Sequence, residues 1–262
     1  MPVIPQIRVF PDPAAVAQAA ADIVAAAAVE AVAERGAFRI SLAGGSTPKK
    51  LYELLAEEPY RSGIDWARVH AYFGDERVVP PEHKDSNYRA AREALLSKVP
   101  IPGNVYRMKG EIDPQQAAKE YGLMLKETFP STGSGQDPST GSAQGGDGGM
   151  DLTLLGMGAD GHTLSLFPGT PAVKEREHRV VANYAENSTT GESWRITMTA
   201  PFVNRSRRVL FLVTGADKAK TLSEVLEGPP DPDRLPAQLI APAEGELIWL
   251  LDAAAAGMHE ER

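Results

Sequence analysis

Of the five histidines in this chain, His162 stands where a proton carrier would be of use. It follows directly on Asp151-Leu-Thr-Leu-Leu-Gly-Met-Gly-Ala-Asp-Gly161. Leu152 to Leu155 reads as a short buried strand, and the glycines after it permit a sharp turn and a close approach to a ligand. An imidazole delivered there sits at the C-terminal edge of a sheet, where open α/β folds bind small molecules, and it exchanges protons near neutral pH. A lone histidine in a turn is ordinarily a surface residue, so the weight falls on its neighbours. Gly156-Met-Gly-Ala-Asp-Gly161 also has the form of a dinucleotide fingerprint. Against that reading, Pro168-Gly169 stops the expected helix within about two turns, and Asp160 falls where a pyrophosphate would lie.

A second cluster is Phe73-Gly-Asp-Glu-Arg-Val-Val-Pro80, followed by His83, Ser86 and Asn87. Asp75 and Arg77 lie two apart, so extended backbone points both the same way. A carboxylate orients groups or relays protons, and a guanidinium holds phosphate or a developing oxyanion. The plainer reading is a solvated ion pair at a strand end. Asn87 reads equally as a helix cap, and His83, between Glu82 and Lys84, as a surface residue.

Ser41-Leu-Ala-Gly-Gly-Ser-Thr-Pro-Lys49 forms a third. A strand runs into Gly44 and Gly45, then the hydroxyls of Ser46 and Thr47, then a proline suited to the first helical turn. Thr47 is the expected N-cap, and exposed N–H groups at such a helix start make an anion site; a plain capped turn explains the segment equally well. The Gly-Lys-Ser/Thr ending of a nucleotide P-loop is missing. Arg195 begins a further strand, and Lys218 lies near a helix N-terminus, a place that suits a cation only if it faces an anion. Neither an α/β-hydrolase elbow nor a zinc-binding His-Glu-x-x-His is present.

These groups need a scaffold. Strands are expected at Phe38–Ala43, Val69–Phe73, Leu152–Leu155, Arg179–Tyr184, Trp194–Thr199, Val209–Thr214 and Glu246–Leu251. Helices are expected at about 14–35, from Pro48 to about Ala56, at 87–97, at Pro114–Phe129 behind an Asp113 cap, and at about 216–226. This alternation predicts an α/β fold with a mainly parallel sheet and helices on both faces. Residues 131–149 are almost wholly Ser, Thr, Gly, Gln, Asp and Pro and read as an inserted surface loop in a single domain spanning 1–262.

Composition narrows the chemistry. The chain has no cysteine, which removes disulfides and thiolate catalysis. Its formal net charge of −8 argues against general binding of nucleic acid or anionic membrane. No uninterrupted apolar run is long enough to span a bilayer, and no signal peptide is read at the N-terminus, so a cytoplasmic location is expected.

Taken together, Ser41–Pro48, Phe73–Asn87, Leu155–Pro168, Arg195–Pro201 and Leu212–Lys220 resemble the 6-phosphogluconolactonase family, within the larger group that includes glucosamine-6-phosphate deaminase. The resemblance implies a Rossmann-like sheet with the site at the strand ends. It implies hydrolysis of 6-phosphoglucono-1,5-lactone, the second step of the oxidative pentose phosphate pathway, with functional coupling to glucose-6-phosphate dehydrogenase and no metal or organic cofactor. It makes His162 the catalytic base, with Asp75 and Arg77 beside it; Asp75 either orients the imidazole or holds a substrate hydroxyl. It places phosphate on Gly44, Gly45, Ser46, Thr47, Arg195 and Lys218. A glucosamine-6-phosphate isomerase/deaminase would have a glutamate five residues after the histidine, where this chain has Phe167. A non-catalytic sugar-phosphate-binding domain and a nicotinamide-dependent dehydrogenase would also use a site of this kind.

Overall fold

The computed structural model describes residues 3–130, 148–187 and 191–258. Residues 131–147, most of the expected insertion, lie outside the described residues. In chain order the elements are β1 (Gln6–Phe10), α1 (Pro13–Arg35), β2 (Phe38–Leu42), α2 (Ser46–Leu55), α3 (Tyr60–Gly63), β3 (Val69–Phe73), β4 (Asp75–Arg77), α4 (Asn87–Ala91), β5 (Val105–Tyr106), α5 (Pro114–Thr128) and β6 (Leu152–Leu155). There follow β7 (Val180–Asn187), β8 (Gly191–Met198), α6 (Ala200–Val203), β9 (Arg208–Val213), α7 (Ala219–Glu227) and β10 (Glu246–Asp252).

Seven strands form one sheet in the order β1-β10-β9-β6-β2-β3-β5, parallel throughout. The central strands of this sheet are buried on both faces, and their sequences show it as near-continuous apolar runs. Leu210, Leu212, Ile248 and Leu250 face one core with Phe38, Ile40 and the apolar side of α1 and α2. Val209, Phe211, Val213, Trp249 and Leu251 face a second core with α5, α6 and α7. The α1 helix is long and apolar enough to cross a membrane by composition. Here one face of it, Val16, Ala20, Ala21, Val24, Ala27, Ala28 and Ala31, is packed into the first core. Asp12 caps it, accepting from the N–H groups of Ala14 and Ala15, and Gly36 ends it in the left-handed conformation at φ 72°.

The strands expected at 179–184 and 194–199 do not enter the parallel sheet. As β7 and β8 they form an antiparallel hairpin, and with β4 they make a separate three-stranded sheet in the order β4-β8-β7. Three strands were not expected at all: β1, β4 and β5. The β1 strand is an exposed edge, and β5 has only two residues. The helix expected at 87–97 starts as α4 and widens into a looser turn over Arg92–Leu96.

Strand order reverses between β6 and β2. From β2 the chain builds outward through β3 and β5; from β6 it builds the other way through β9 and β10. Asp151 fixes this junction. Buried at the start of β6, its carboxylate accepts the Arg39 N–H at 2.8 Å and the Arg35 guanidinium at 2.8 Å. Breaking a buried ion pair from one side leaves the other charge uncompensated. Asp151→Ala is expected to lower unfolding free energy by about 3 kcal/mol, read from the shift of the urea midpoint at constant slope; a shift of a few tenths would show that the pair does not hold the junction.

Candidate active site

The candidate residues gather at the C-terminal ends of β2, β3, β6 and β9, beside that reversal, the place where open α/β sheets take ligands. The turn after β6 carries His162. Residues 156–170 contain no helix, so the long helix that a dinucleotide fingerprint opens is missing, but a compact turn: Gly158 N–H donates to the His162 carbonyl at 2.9 Å and Gly161 N–H to the Gly158 carbonyl at 3.0 Å. The glycines are required. Gly161 has φ 82°, and a Cβ on Gly158 would lie 2.2 Å from the His162 ring.

His162 is oriented by Asp160. Its Nδ1 lies 2.5 Å from Asp160 Oδ1, the same oxygen that accepts the His162 backbone N–H at 3.1 Å. Burial pushes the Asp160 carboxyl up, but the hydrogen bond and charge of His162 outweigh it and hold the group below the usual aspartate range. With Nδ1 committed to a carboxylate, the proton sits there and the Nε2 lone pair is open to a reactant. The Phe167 ring packs against the imidazole, centroids 4.6 Å apart. In the sequence Asp160 figures only as an obstacle to a dinucleotide; the signal for its role is its place two residues before the histidine, where an Asx side chain reaches back to the turn.

Asp75 is not hydrogen-bonded to His162. One of its oxygens accepts from Asn87 Nδ2 at 3.1 Å and the other from Ser165 Oγ at 2.6 Å. Asn87 is therefore no cap. Ser86 caps α4, its hydroxyl accepting from Arg89 N–H, while the Asn87 amide also donates to the Asp75 carbonyl at 2.9 Å. Between Asp75 and Arg77, the buried carboxylate of Glu76 turns the other way. It accepts the backbone N–H groups of Arg77, Asn87 and Tyr88 and the Ser86 hydroxyl, at 2.7 to 3.0 Å. Neither Glu76 nor Ser165 is marked in the sequence, because nothing in the spacing of a charged run says which member turns inward. His83 stays at the surface as expected.

Arg77 and Arg195 come together directly. They are partners in the β4–β8 register, and the Arg77 guanidinium donates to the Asp85 carbonyl at 2.6 Å. Arg195 lies in mid-strand rather than at a strand start and is 3% exposed. Burial, and then the charge of Arg77, lower its pKa from the usual arginine value. Like charges opposite one another on a sheet repel, and the arrangement suits an anion held between two forks.

The turn after β2 joins this cluster. Gly44 backs onto Asn87 so closely that a Cβ would lie 2.0 Å from its amide oxygen. Gly45, at φ 108°, occupies the cap position of α2 with no side-chain bond, so the expected Thr47 cap is not made. The Thr47 hydroxyl points instead to Thr214 Oγ1 at 2.8 Å, tying α2 to the end of β9. Ser46 is exposed on the first turn. Beyond Thr214, Lys218 closes the row, its Nζ 2.9 Å from Asp217 Oδ2. Grooves of about 880 and 770 Å³ lie elsewhere and include none of these residues. Among the described residues no three His, Cys, Asp or Glu side chains converge as metal ligands.

Comparison with known proteins agrees with this fold. A family described as glucosamine-6-phosphate isomerases/6-phosphogluconolactonase matches residues 11–249. The chain is 43% identical to a 6-phosphogluconolactonase of Synechocystis sp. over 85% of both chains. It is 37% identical to that of Nostoc sp., over 95% of this chain and 96% of the other. The 6-phosphogluconolactonase structure from Trypanosoma brucei superposes with a TM-score of 0.82 at 29% identity, covering 97% of this chain and 98% of that one.

Removing the inward carboxylate of Glu76 would strand the donors that fix the 85–88 turn. Glu76→Ala is expected to cost roughly 3 kcal/mol of stability, measurable by thermal or urea unfolding. A variant as stable as the parent would mean that water takes over all of those hydrogen bonds.

Proposed function

The chain belongs to the glucosamine-6-phosphate isomerase/6-phosphogluconolactonase family, and we infer from it that the protein hydrolyses 6-phosphoglucono-1,5-lactone to 6-phosphogluconate. One observation supports the mechanism above others. The imidazole of His162 is held by a carboxylate at Nδ1, and no hydroxyl among the described residues is hydrogen-bonded to its ring. That is the arrangement of a base that activates water, not of a base paired with a side-chain nucleophile.

A lactone is an activated ester and needs no covalent intermediate. Water attacks C1 while His162 Nε2 takes its proton, and the carbonyl becomes a tetrahedral oxyanion. Collapse breaks the bond from C1 to the ring oxygen, which receives the proton back from the imidazolium. The ionised Asp160 stabilises that imidazolium and fixes its tautomer. Positioned general-base catalysis of this kind contributes roughly 10²- to 10⁴-fold. Arg77 or the backbone N–H groups of the glycine turns meet the developing oxyanion. Asp75, its carboxylate held by two neutral donors, retains lone pairs for a substrate hydroxyl. Phosphate lies toward Arg195, with the Gly44–Thr47 turn and Lys218 completing its surroundings. Supply of the lactone by glucose-6-phosphate dehydrogenase completes this reading. Phe167 against His162 offers no proton-transfer group where the deaminase resemblance calls for a glutamate.

The direct test generates the lactone in situ with glucose-6-phosphate dehydrogenase and follows its disappearance against the spontaneous background; no acceleration would remove the assignment. His162→Ala is expected to keep the fold and phosphate affinity and to lose kcat by about 10²-fold or more. Near-full turnover in that variant would take His162 out of the mechanism. Arg195→Ala and Lys218→Ala are expected to raise KM with smaller changes in kcat, as loss of uniform binding does. An unchanged KM in both would move the phosphate elsewhere.

A further inference from the structure

We propose that Ser165 is the positioning residue of this site: it locks the turn carrying His162 onto the carboxylate of Asp75, so that base and substrate-holding group keep one fixed spacing. The inference rests on the lactonase reading above and adds a residue to which that reading gives no role.

Every polar atom of Ser165 is engaged, and each partner comes from a different part of the chain. Its Oγ donates to Asp75 Oδ2 at 2.6 Å, its N–H to Thr197 Oγ1 at 3.2 Å, and its carbonyl accepts from Asn183 Nδ2 at 2.9 Å. Asp75 lies on β4, Thr197 on β8 and Asn183 on β7, so one residue of the histidine turn is bonded to all three strands of the small sheet. Ser165 is 1% exposed, and Thr197 and Asn183 are buried with it. Bonds in such a place are not exchanged with water, and losing one leaves its partner unsatisfied.

One of the two residues between base and anchor shows that the turn is held rather than relaxed. Leu164 has φ 54°, the left-handed region that a bulky side chain avoids. Its side chain fills the notch that Gly74 leaves beside the end of β3: a Cβ on Gly74 would lie 2.6 Å from Leu164 Cδ2. Backbone strain of this kind persists only where surrounding contacts over-determine it, and the three bonds of Ser165 supply them one residue away. Without the Oγ bond, Asp75 Oδ2 loses its donor while Oδ1 keeps Asn87. The carboxylate is then free to rotate about its remaining tie, and the turn is free to relieve Leu164. A displacement of about 1 Å in reacting groups is enough for a large loss of rate.

The experiment is a double-mutant cycle of Ser165→Ala and Asp75→Asn, with kcat/KM for the lactone, competitive inhibition by inorganic phosphate, and the circular dichroism spectrum as readouts. Ser165→Ala is expected to lower kcat/KM by about tenfold or more while leaving the inhibition constant for phosphate and the spectrum unchanged. The double variant is expected to be no worse than the poorer single one, because the serine acts through the carboxylate. Losses that multiply, or a Ser165→Ala enzyme with parental kcat/KM, would overturn the proposal. So would parallel loss of lactone turnover and phosphate inhibition, the mark of a general structural role. If Ser165→Ala fails to fold, Ser165→Cys, close in volume and a weaker donor, carries the same readouts and outcomes. Absence of lactonase activity in the parent protein would instead overturn the functional reading.

Discussion

The carboxylate of Asp75 is the point at which the site is assembled. One oxygen is held from the start of α4, through Asn87, and the other from the histidine turn, through Ser165. Asn87 in turn backs onto Gly44, so the loop after β2 is pressed against the same group. Three segments that follow separate strands thus reach a common reference through a single side chain. Charge is not what holds them: the donors are an amide and a hydroxyl, which leave the carboxylate its negative charge and some of its lone pairs.

This assembly is possible because the strands beneath it are rigidly ordered. A parallel sheet buried on both faces cannot slip by one residue without turning every apolar side chain into the wrong core. The alternation along β9 and β10, with Leu210 and Leu212 on one side and Val209, Phe211 and Val213 on the other, fixes that register. Loops at the strand ends inherit it. The small sheet of β4, β8 and β7 is then laid across the strand ends, and it brings Arg195 beside Arg77.

Much of this was legible in the sequence, for identifiable reasons. The central strands announce themselves as apolar runs closed by glycine, α1 as an alanine-rich run broken by polar residues at helical spacing, and α5 by Asp113 at its start. What stayed hidden depends on contacts between distant segments. No local pattern says that 180–187 and 191–198 pair with each other and with Asp75–Arg77 instead of joining the main sheet. Thr47 carries every local mark of a cap, yet Thr214, 167 residues away, claims its hydroxyl. The edge strand β1 has little buried surface to impose a pattern, and β5 is too short to show one. For the site, the histidine and the Asp75–Arg77 cluster were visible from residue type and spacing, whereas Asp160, Ser165 and Glu76 acquire their meaning only from where their side chains turn.

The pairing of Arg77 with Arg195 carries a thermodynamic consequence. Two guanidinium groups in register, one of them buried, repel each other. On the function proposed above, an anion placed between them would relieve that repulsion in addition to forming its own bonds. On that same proposal, dissolved salt, by screening the repulsion beforehand, would reduce what the anion gains.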